Sequence, residues 1–118
     1  SSMQSGLISI DEIKDKRKIA VLADILELGD YAKEIHLKMG KVFKELKYDV
    51  LIAYGENMKY LIENAKNYIK EVYYCKDSTE AEKKVREIMR ENDVIYFKGS
   101  NSMFVNKIVD DLKKDFVN

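Results

Sequence analysis

Short apolar runs and longer amphipathic segments alternate along the chain. Residues 19–23 read Ile-Ala-Val-Leu-Ala without a polar side chain, which is typical of a strand that is buried on both faces. Further predicted strands are residues 49–54, 71–75 and 93–97, in each of which an apolar run follows one acidic residue. Because strands buried on both faces are typical of parallel sheets, the pattern predicts four strands in one such sheet.

Each predicted strand precedes a segment whose apolar residues recur at helical spacing. These segments are residues 31–47, 58–69, 77–90 and 104–116. In the first, the predicted buried stripe is Tyr31, Ile35, Met39, Val42, Phe43 and Leu46, with Ala32, His36 and Gly40 along its edge. In the last, it is Phe104, Ile108, Leu112 and Phe116.

The repeated alternation of strand and helix predicts the fold class. We expect an α/β fold, a three-layer Rossmann-like domain with a mainly parallel sheet and helices on both faces. The strand order does not follow from the sequence. The 118 residues suit one domain. We assign residues 1–16 to a connector with a short, poorly fixed helix, part of which is consistent with a remnant of cloning, and residues 17–118 to the domain itself.

Composition narrows the class of protein. Lys and Arg number 21, as do Asp and Glu, so the basic excess of a nucleic-acid-binding protein is missing. No apolar run approaches the roughly 20 residues that span a bilayer. The single cysteine, Cys75, ends a predicted strand and is expected to be a buried thiol. We therefore expect a cytoplasmic protein with no nucleic-acid or membrane partner.

Several catalytic motifs are missing from the sequence. It contains no G-x-G-x-x-G dinucleotide motif, no P-loop and no nucleophile elbow. His36 is the only histidine, and it cannot anchor a zinc site without help from carboxylates; a second cysteine for a metal knuckle is also missing. We accordingly predict no catalytic residue and no metal ligand within this chain.

Three loops follow predicted strands, where α/β sheets gather ligands: residues 24–30, 55–57 and 98–102. The last combines Lys98, Gly99 and Ser100 ahead of a helix, a pattern that suits an anion or a carboxylate. The alternative is that Gly99 makes a turn and a serine caps the helix. Asp24 and Glu27 are either ligand-binding or solvated carboxylates. His36 is either a functional side chain, which its hydrogen-bond pairing would reveal, or a helix-surface or edge histidine with one hydrogen bond.

Two stretches of this sequence resemble a known family. Residues 17–29 read R-K-I-A-V-L-A-D-I-L-E-L-G and resemble the R-K-I-A-V-L-G-D-M-L-E-L-G stretch of Mur ligases, with His36 at the family's distance. Residues 91–94 (E-N-D-V), 98–103 (K-G-S-N-S-M) and 107–109 (K-I-V) resemble the closing segment of the same proteins. The resemblance extends over nearly the whole chain and is to the carboxyl-terminal domain.

The resemblance implies a function for the complete protein. It points to the branch of the Mur ligase family that joins D-alanyl-D-alanine to UDP-N-acetylmuramoyl-tripeptide in peptidoglycan synthesis. ATP and Mg²⁺ would be bound mainly by a central domain that has no counterpart here, so we expect no cofactor in this chain and no activity from it alone. That central domain and the two substrates would be its partners.

The resemblance also implies roles for individual residues. Asp24, Glu27 and Leu28 would shape the pocket for the acceptor dipeptide. Its carboxylate would be bound by Lys98, Gly99 and Ser100, and His36 would orient the facing loop. Asn101 stands where the family usually has Arg, so it supplies no charge there.

Two further expectations accompany the resemblance. Ala23 replaces the usual Gly, so the first loop is expected to be slightly reshaped. The family's D-x-Y-N-A-N-P strand is missing, so the sheet should lack one member and show an exposed edge or a filled gap. The alternative to a ligase domain is a free-standing α/β ligand-binding or regulatory module, such as a receiver-like domain.

Overall fold

The computed structural model describes residues 2–116. All its strands are parallel, in the order β3-β2-β1-β4. Strands β1 and β2 are buried at every position, as their nearly continuous apolar sequences require. The predicted strands are therefore confirmed, and they are β1 (Lys18–Ala23), β2 (Val50–Tyr54), β3 (Glu71–Cys75) and β4 (Val94–Lys98).

Helices cover both faces of the sheet. Side chains of the first three helices form one core against one face, and those of the last two form a second core against the other face. The three-layer architecture is therefore confirmed, although the third and fourth helices end earlier than predicted. The helices are α1 (Ser2–Asp11), α2 (Ala32–Lys41), α3 (Met58–Ala65), α4 (Ser78–Ile88) and α5 (Val105–Phe116). Short 3₁₀ segments occupy Gly29–Tyr31, Val42–Glu45 and Asn101–Met103.

The predicted helix of residues 31–47 is wrong in its extent and its buried face. Helix α2 ends at Lys41, and Tyr31 is 68% exposed. His36 and Gly40, expected at the edge, are instead buried. The reason is close packing against α3, since a Cβ atom on Gly40 would collide with the Leu61 carbonyl oxygen. The lack of a side chain at Gly40 thus allows α2 to lie close against α3.

The buried stripe predicted for the last helix is also partly wrong. Ile108 and Leu112 are buried, but Phe104 and Phe116 are each 60% exposed. Phe104 has φ of 64° and lies in the left-handed region before α5 begins. Val105 is the first residue of the helix and takes the inward position instead.

The helix expected within residues 1–16 is α1, and it is packed firmly rather than poorly fixed. Met3 and Leu7 are each 1% exposed. The Tyr48 hydroxyl donates a hydrogen bond to the Leu7 carbonyl oxygen (2.9 Å), and the Lys18 ammonium donates to the Asp11 carbonyl oxygen (2.9 Å). The boundary between residues 1–16 and 17–118 stays a prediction, but α1 belongs to the same core as the sheet.

Strand β4 forms an edge of the sheet within residues 2–116. It pairs only with β1, and its residues are half-buried where those of β1 are buried. Beside it lies an apolar groove of about 250 Å³, lined in part by Ile95, Phe97 and Phe116. Strand β3 is the other edge of the sheet, so the expected lack of one strand stays a prediction. No helix in the described part of the chain is both long enough and apolar enough to cross a membrane.

An ion pair connects the starts of β1 and β4. The Arg17 guanidinium donates to both carboxylate oxygens of Asp93 (3.0 and 2.8 Å) and to the Ile88 carbonyl oxygen (2.6 Å). The Arg90 amide also donates to Asp93 (2.8 Å). Burial acts to raise the pKa of Asp93, but these hydrogen bonds outweigh it, and the pKa lies below its ordinary value. The ionised carboxylate therefore stabilises the fold.

We expect Asp93→Asn to lower the free energy of unfolding by about 1–3 kcal/mol at pH 7, because Arg17 loses its charged partner. A carboxylate with a depressed pKa stabilises above the unfolded-state pKa, and this stabilisation is lost as the pH falls through the folded-state value. The difference in the free energy of unfolding between wild type and Asp93→Asn should therefore disappear below about pH 4. Urea unfolding at several pH values measures it.

The exposed residue Asp110 provides the control for this test. Asp110→Asn should change the free energy of unfolding by less than about 0.5 kcal/mol at any of these pH values. A gap for Asp93→Asn that stays constant down to pH 2 would contradict the assigned role of the ion pair.

Candidate functional site

The strand order makes the carboxyl ends of β1 and β4 the expected position for a ligand. The chain leaves β1 toward β2 on one side, and it returns from β3 to β4 on the other side of β1. The helices that follow β1 and β4 pack on opposite faces, so the chain leaves these two neighbouring strands toward opposite sides of the sheet. In open α/β sheets, such a switch point forms a crevice in which ligands bind.

An open cleft of about 580 Å³ lies at this switch point. Residues 25–27 form one wall, residues 98–102 form the other, and Ser2 also lines the cleft. The two loops that the sequence singled out therefore face each other across one space. The predicted site residues that line it are Glu27, Lys98, Gly99, Ser100 and Asn101.

Asp24 does not line the cleft. It is 3% exposed, and its carboxylate accepts hydrogen bonds from the backbone amides of Asn57 (3.0 and 3.1 Å) and Met58 (3.1 Å). These amides begin α3, where the helix dipole favours a negative charge. Asp24 is thus neither solvated nor free to hold a ligand, and its side chain instead joins the end of β1 to the third predicted loop, residues 55–57.

Gly55 permits this arrangement. Its φ is 115°, which disfavours any residue with a side chain, and a Cβ atom there would collide with the Asp24 carboxylate. The Tyr74 hydroxyl donates to the Gly55 carbonyl oxygen (2.9 Å) and ties the end of β3 to the same turn. The carboxyl ends of β1, β2 and β3 are therefore held as one unit.

Ser100 connects the two walls of the cleft. Its amide donates to the Asp24 carbonyl oxygen (3.1 Å), and its hydroxyl accepts from the Leu26 amide (2.8 Å). Ser100 precedes the short 3₁₀ turn Asn101–Met103, but its side chain makes no capping hydrogen bond there. The alternative in which Ser100 merely caps a helix is therefore wrong.

His36 is hydrogen-bonded to the first wall of the cleft at Ile25. It is fully buried, and its Nδ1 lies 2.7 Å from the Ala32 carbonyl oxygen, while its Nε2 lies 3.2 Å from the Ile25 amide nitrogen. Only a neutral ring with the proton on Nδ1 can donate to the first and accept from the second. His36 thus makes two hydrogen bonds within the protein, which fits the loop-orienting role better than that of a surface histidine.

The backbone of the second wall passes close to β1 at Gly99. A Cβ atom on Gly99 would lie 2.8 Å from the Cβ atom of Ala23 and 2.9 Å from the Val105 side chain. Ala23 is the residue that replaces the family's usual Gly, and its methyl group fits here because Gly99 has none.

Leu28 is half-buried, and its carbonyl oxygen accepts from the Tyr31 amide (3.2 Å) outside the cleft.

The cleft contains unpaired charges. Within residues 2–116, Lys98 has neither a hydrogen bond nor an ion pair through its ammonium group, and Glu27 has none through its carboxylate. A cation and an anion on opposite walls of one cleft suit a small molecule that carries both an ammonium and a carboxylate. Across the same described ranges, no group of three or more His, Cys, Asp or Glu side chains is arranged to hold a metal ion.

Sequence reasoning missed Tyr54, the last residue of β2. It is 1% exposed, and its hydroxyl donates to the Met103 carbonyl oxygen (2.7 Å) in the loop after β4. Burial raises the pKa of Tyr54 to about 12, so the hydroxyl remains a donor at neutral pH. The available signal was a tyrosine at the end of an otherwise apolar strand, since a buried tyrosine hydroxyl requires a partner.

Fold and cleft together define a class: a parallel α/β domain with a ligand cleft at its switch point. Within this class, the chain belongs to the family described as Mur ligase, glutamate ligase domain, whose model matches residues 1–101. This confirms the family identified from residues 17–29 and 98–103. The alternative of a free-standing receiver-like module gains no support from this match.

Two individual proteins extend the comparison. The UDP-N-acetylmuramoyl-tripeptide–D-alanyl-D-alanine ligase of Bacillus subtilis (strain 168) is 34% identical over 98 residues, which cover 81% of this chain and 21% of that protein. The crystal structure of MurF ligase from Thermotoga maritima in complex with ADP matches 86% of this chain and 22% of its own, with a TM-score of 0.65 and 21% identity. The structural likeness supports the fold, and the chain spans about a fifth of each relative.

We expect Asp24→Asn to lower the free energy of unfolding by about 1–2 kcal/mol, since the amide group removes the charge and one acceptor from the start of α3. Thermal or urea unfolding measures the change. Glu27→Gln is the matched control, because it neutralises an exposed carboxylate of the same loop and should cost less than about 0.5 kcal/mol. An equal decrease in the free energy of unfolding in the two variants would contradict the hydrogen bonds assigned to Asp24.

Proposed function

We propose that this chain is the carboxyl-terminal, acceptor-binding domain of a UDP-N-acetylmuramoyl-tripeptide–D-alanyl-D-alanine ligase, a cytoplasmic enzyme of peptidoglycan synthesis. The observation that carries the proposal is the cleft between the loops after β1 and β4, with an unpaired Lys98 on one wall. The 34% identity to the Bacillus subtilis ligase supports D-alanyl-D-alanine as the acceptor among the small molecules that this cleft suits.

In this proposal each wall has its own role. The Lys98 ammonium and the backbone of Gly99 and Ser100 bind the dipeptide carboxylate, since a cation and close backbone amides suit an anion. Asn101 adds a neutral polar group where an arginine is usual. On the facing wall, Glu27 offers a carboxylate to the dipeptide ammonium.

The remaining predicted residues act indirectly. Asp24 shapes the pocket through its bonds to the start of α3 and to Ser100, and Leu28 shapes it through the 3₁₀ turn that follows. His36 orients the first wall through the Ile25 amide. None of these residues takes part in bond making, and the domain contributes positioning and exclusion of water.

The chemistry itself belongs to the complete enzyme. ATP would phosphorylate the tripeptide carboxylate, with Mg²⁺, in a central domain that these 118 residues do not include. The dipeptide ammonium would lose a proton to solvent, and the resulting amine would attack the acyl phosphate carbon. The amide bond would form as the carbon–oxygen bond to phosphate breaks, and a second proton would leave the nitrogen. Residues 2–116 hold neither a P-loop nor a cluster suited to a metal ion, so we assign no step of this chemistry to them.

We also propose that residues 17–118 are completed, in the longer protein, by a strand upstream of α1 that pairs with β4. The apolar groove beside Ile95 and Phe97 would then be covered. Within residues 2–116, β4 pairs only with β1, so its outer backbone groups are free to pair with a further strand.

We expect the chain to bind D-alanyl-D-alanine weakly, with a dissociation constant of about 1 mM or above, because half of the cleft is absent. Lys98→Met should weaken this binding by about tenfold, as expected for the loss of a charge-assisted hydrogen bond. Isothermal titration or an NMR titration measures both values.

Lys76→Met is the control for this titration. Lys76 is an exposed lysine at the same end of the sheet, outside the cleft walls, so its removal changes the net charge equally. Its effect should be less than about twofold, given that exposed charges interact weakly in water. Equal weakening by both variants would indicate a general charge effect and contradict the role of Lys98.

We expect the isolated chain to show no ATP-dependent ligation of D-alanyl-D-alanine to UDP-N-acetylmuramoyl-tripeptide, because the phosphorylating domain is missing. A phosphate-release assay with both substrates, ATP and Mg²⁺ measures this, with a full-length ligase as the positive control. Turnover by the chain alone would contradict its proposed place within a larger enzyme.

A further inference from the structure

The loop after β4 is anchored at two points that lie on opposite sides of the cleft wall. On one side, Ser100 is bonded to Asp24 and Leu26 of the first wall. On the other side, the Met103 carbonyl oxygen accepts from the Tyr54 hydroxyl at 2.7 Å. Tyr54 lies outside the cleft, so it contacts this wall only from behind.

The segment between the two anchors is a single tight turn. The Met103 amide donates to the Ser100 carbonyl oxygen (2.9 Å), and the Phe104 amide donates to the Asn101 carbonyl oxygen (3.1 Å). Because these bonds close the 3₁₀ turn, a displacement of Met103 is transmitted to Ser100 and Asn101, which line the cleft.

The Tyr54 side chain is well placed to hold this turn in one position. Its ring is 1% exposed and belongs to the core that the sheet forms with α4 and α5, so it has little freedom to move. Gly55 follows at once in the chain, and a Cβ atom there would lie 3.0 Å from the terminal methyl of Met103. The Met103 side chain therefore lies close to the end of β2, and the Tyr54 hydroxyl supplies the hydrogen bond between them.

We infer that Tyr54 is a positioning residue for the acceptor cleft: its hydroxyl fixes the Ser100–Phe104 turn and thereby sets the geometry of the carboxylate-binding wall. The inference rests on the proposed function only for the identity of the ligand. Tyr54 touches no ligand in this scheme and acts through Met103.

Tyr48 provides a matched control for a hydroxyl deletion. It is 5% exposed, and its hydroxyl also donates to a backbone carbonyl oxygen, that of Leu7, at 2.9 Å. It belongs to the core on the opposite face of the sheet. Tyr48→Phe and Tyr54→Phe should therefore lose similar stability, and only the second should alter the cleft.

The test compares two readouts in wild type, Tyr54→Phe and Tyr48→Phe. The first is the dissociation constant for D-alanyl-D-alanine from an NMR titration, which Tyr54→Phe should raise about fivefold, the effect expected for one neutral hydrogen bond. The second is the hydrogen-exchange rate of the Ser100, Met103 and Phe104 amides, which should increase in Tyr54→Phe alone.

The two readouts separate the possible failures. Faster exchange in Tyr54→Phe without any wild-type binding supports the positioning role and contradicts the proposed ligand. Unchanged exchange and unchanged affinity in Tyr54→Phe overturn the positioning role. A loss of affinity of the same size in Tyr48→Phe also overturns it, because general destabilisation would then explain the effect.

Discussion

Two backbone amides at the start of α3 donate hydrogen bonds to the Asp24 carboxylate, which is almost fully buried at the end of β1. A buried carboxylate is costly unless such donors satisfy it, and here the donors also carry the positive end of a helix dipole. The carbonyl oxygen of the same residue accepts from Ser100 in the loop after β4. One residue therefore connects the ends of three strands, and the cleft depends on it.

The strands and layers were predictable from sequence because burial on both faces leaves continuous apolar runs, as in residues 19–23. The rotation of α2 was not predictable from the sequence. Neither His36 nor Gly40 is hydrophobic, so a pattern of hydrophobic positions does not place them on the buried face. Each is buried for a reason that only the assembled fold reveals. His36 accepts a hydrogen bond from the Ile25 amide, and Gly40 packs closely against the backbone of α3.

The position of the candidate site was also predictable, because loops after parallel strands meet at one edge of the sheet. The role of each side chain at the site was harder to predict from the sequence. Asp24 was expected in the pocket, yet its carboxylate is bonded to amides more than 30 residues away in the chain. Tyr54 was not singled out, because its partner, Met103, is 49 residues away. Hydrogen-bond partners at such separations depend on strand order, which the sequence did not provide.

The central claim is that the loops after β1 and β4 form the two walls of a single acceptor site. A map of backbone amide shifts in a ¹⁵N-labelled chain, recorded as D-alanyl-D-alanine is added, tests it most directly. The claim predicts that the largest shifts fall on both walls, at residues 25–27 and 98–102, and saturate with one dissociation constant. Shifts confined to one wall, shifts centred elsewhere, or no shifts at tens of millimolar dipeptide would contradict it.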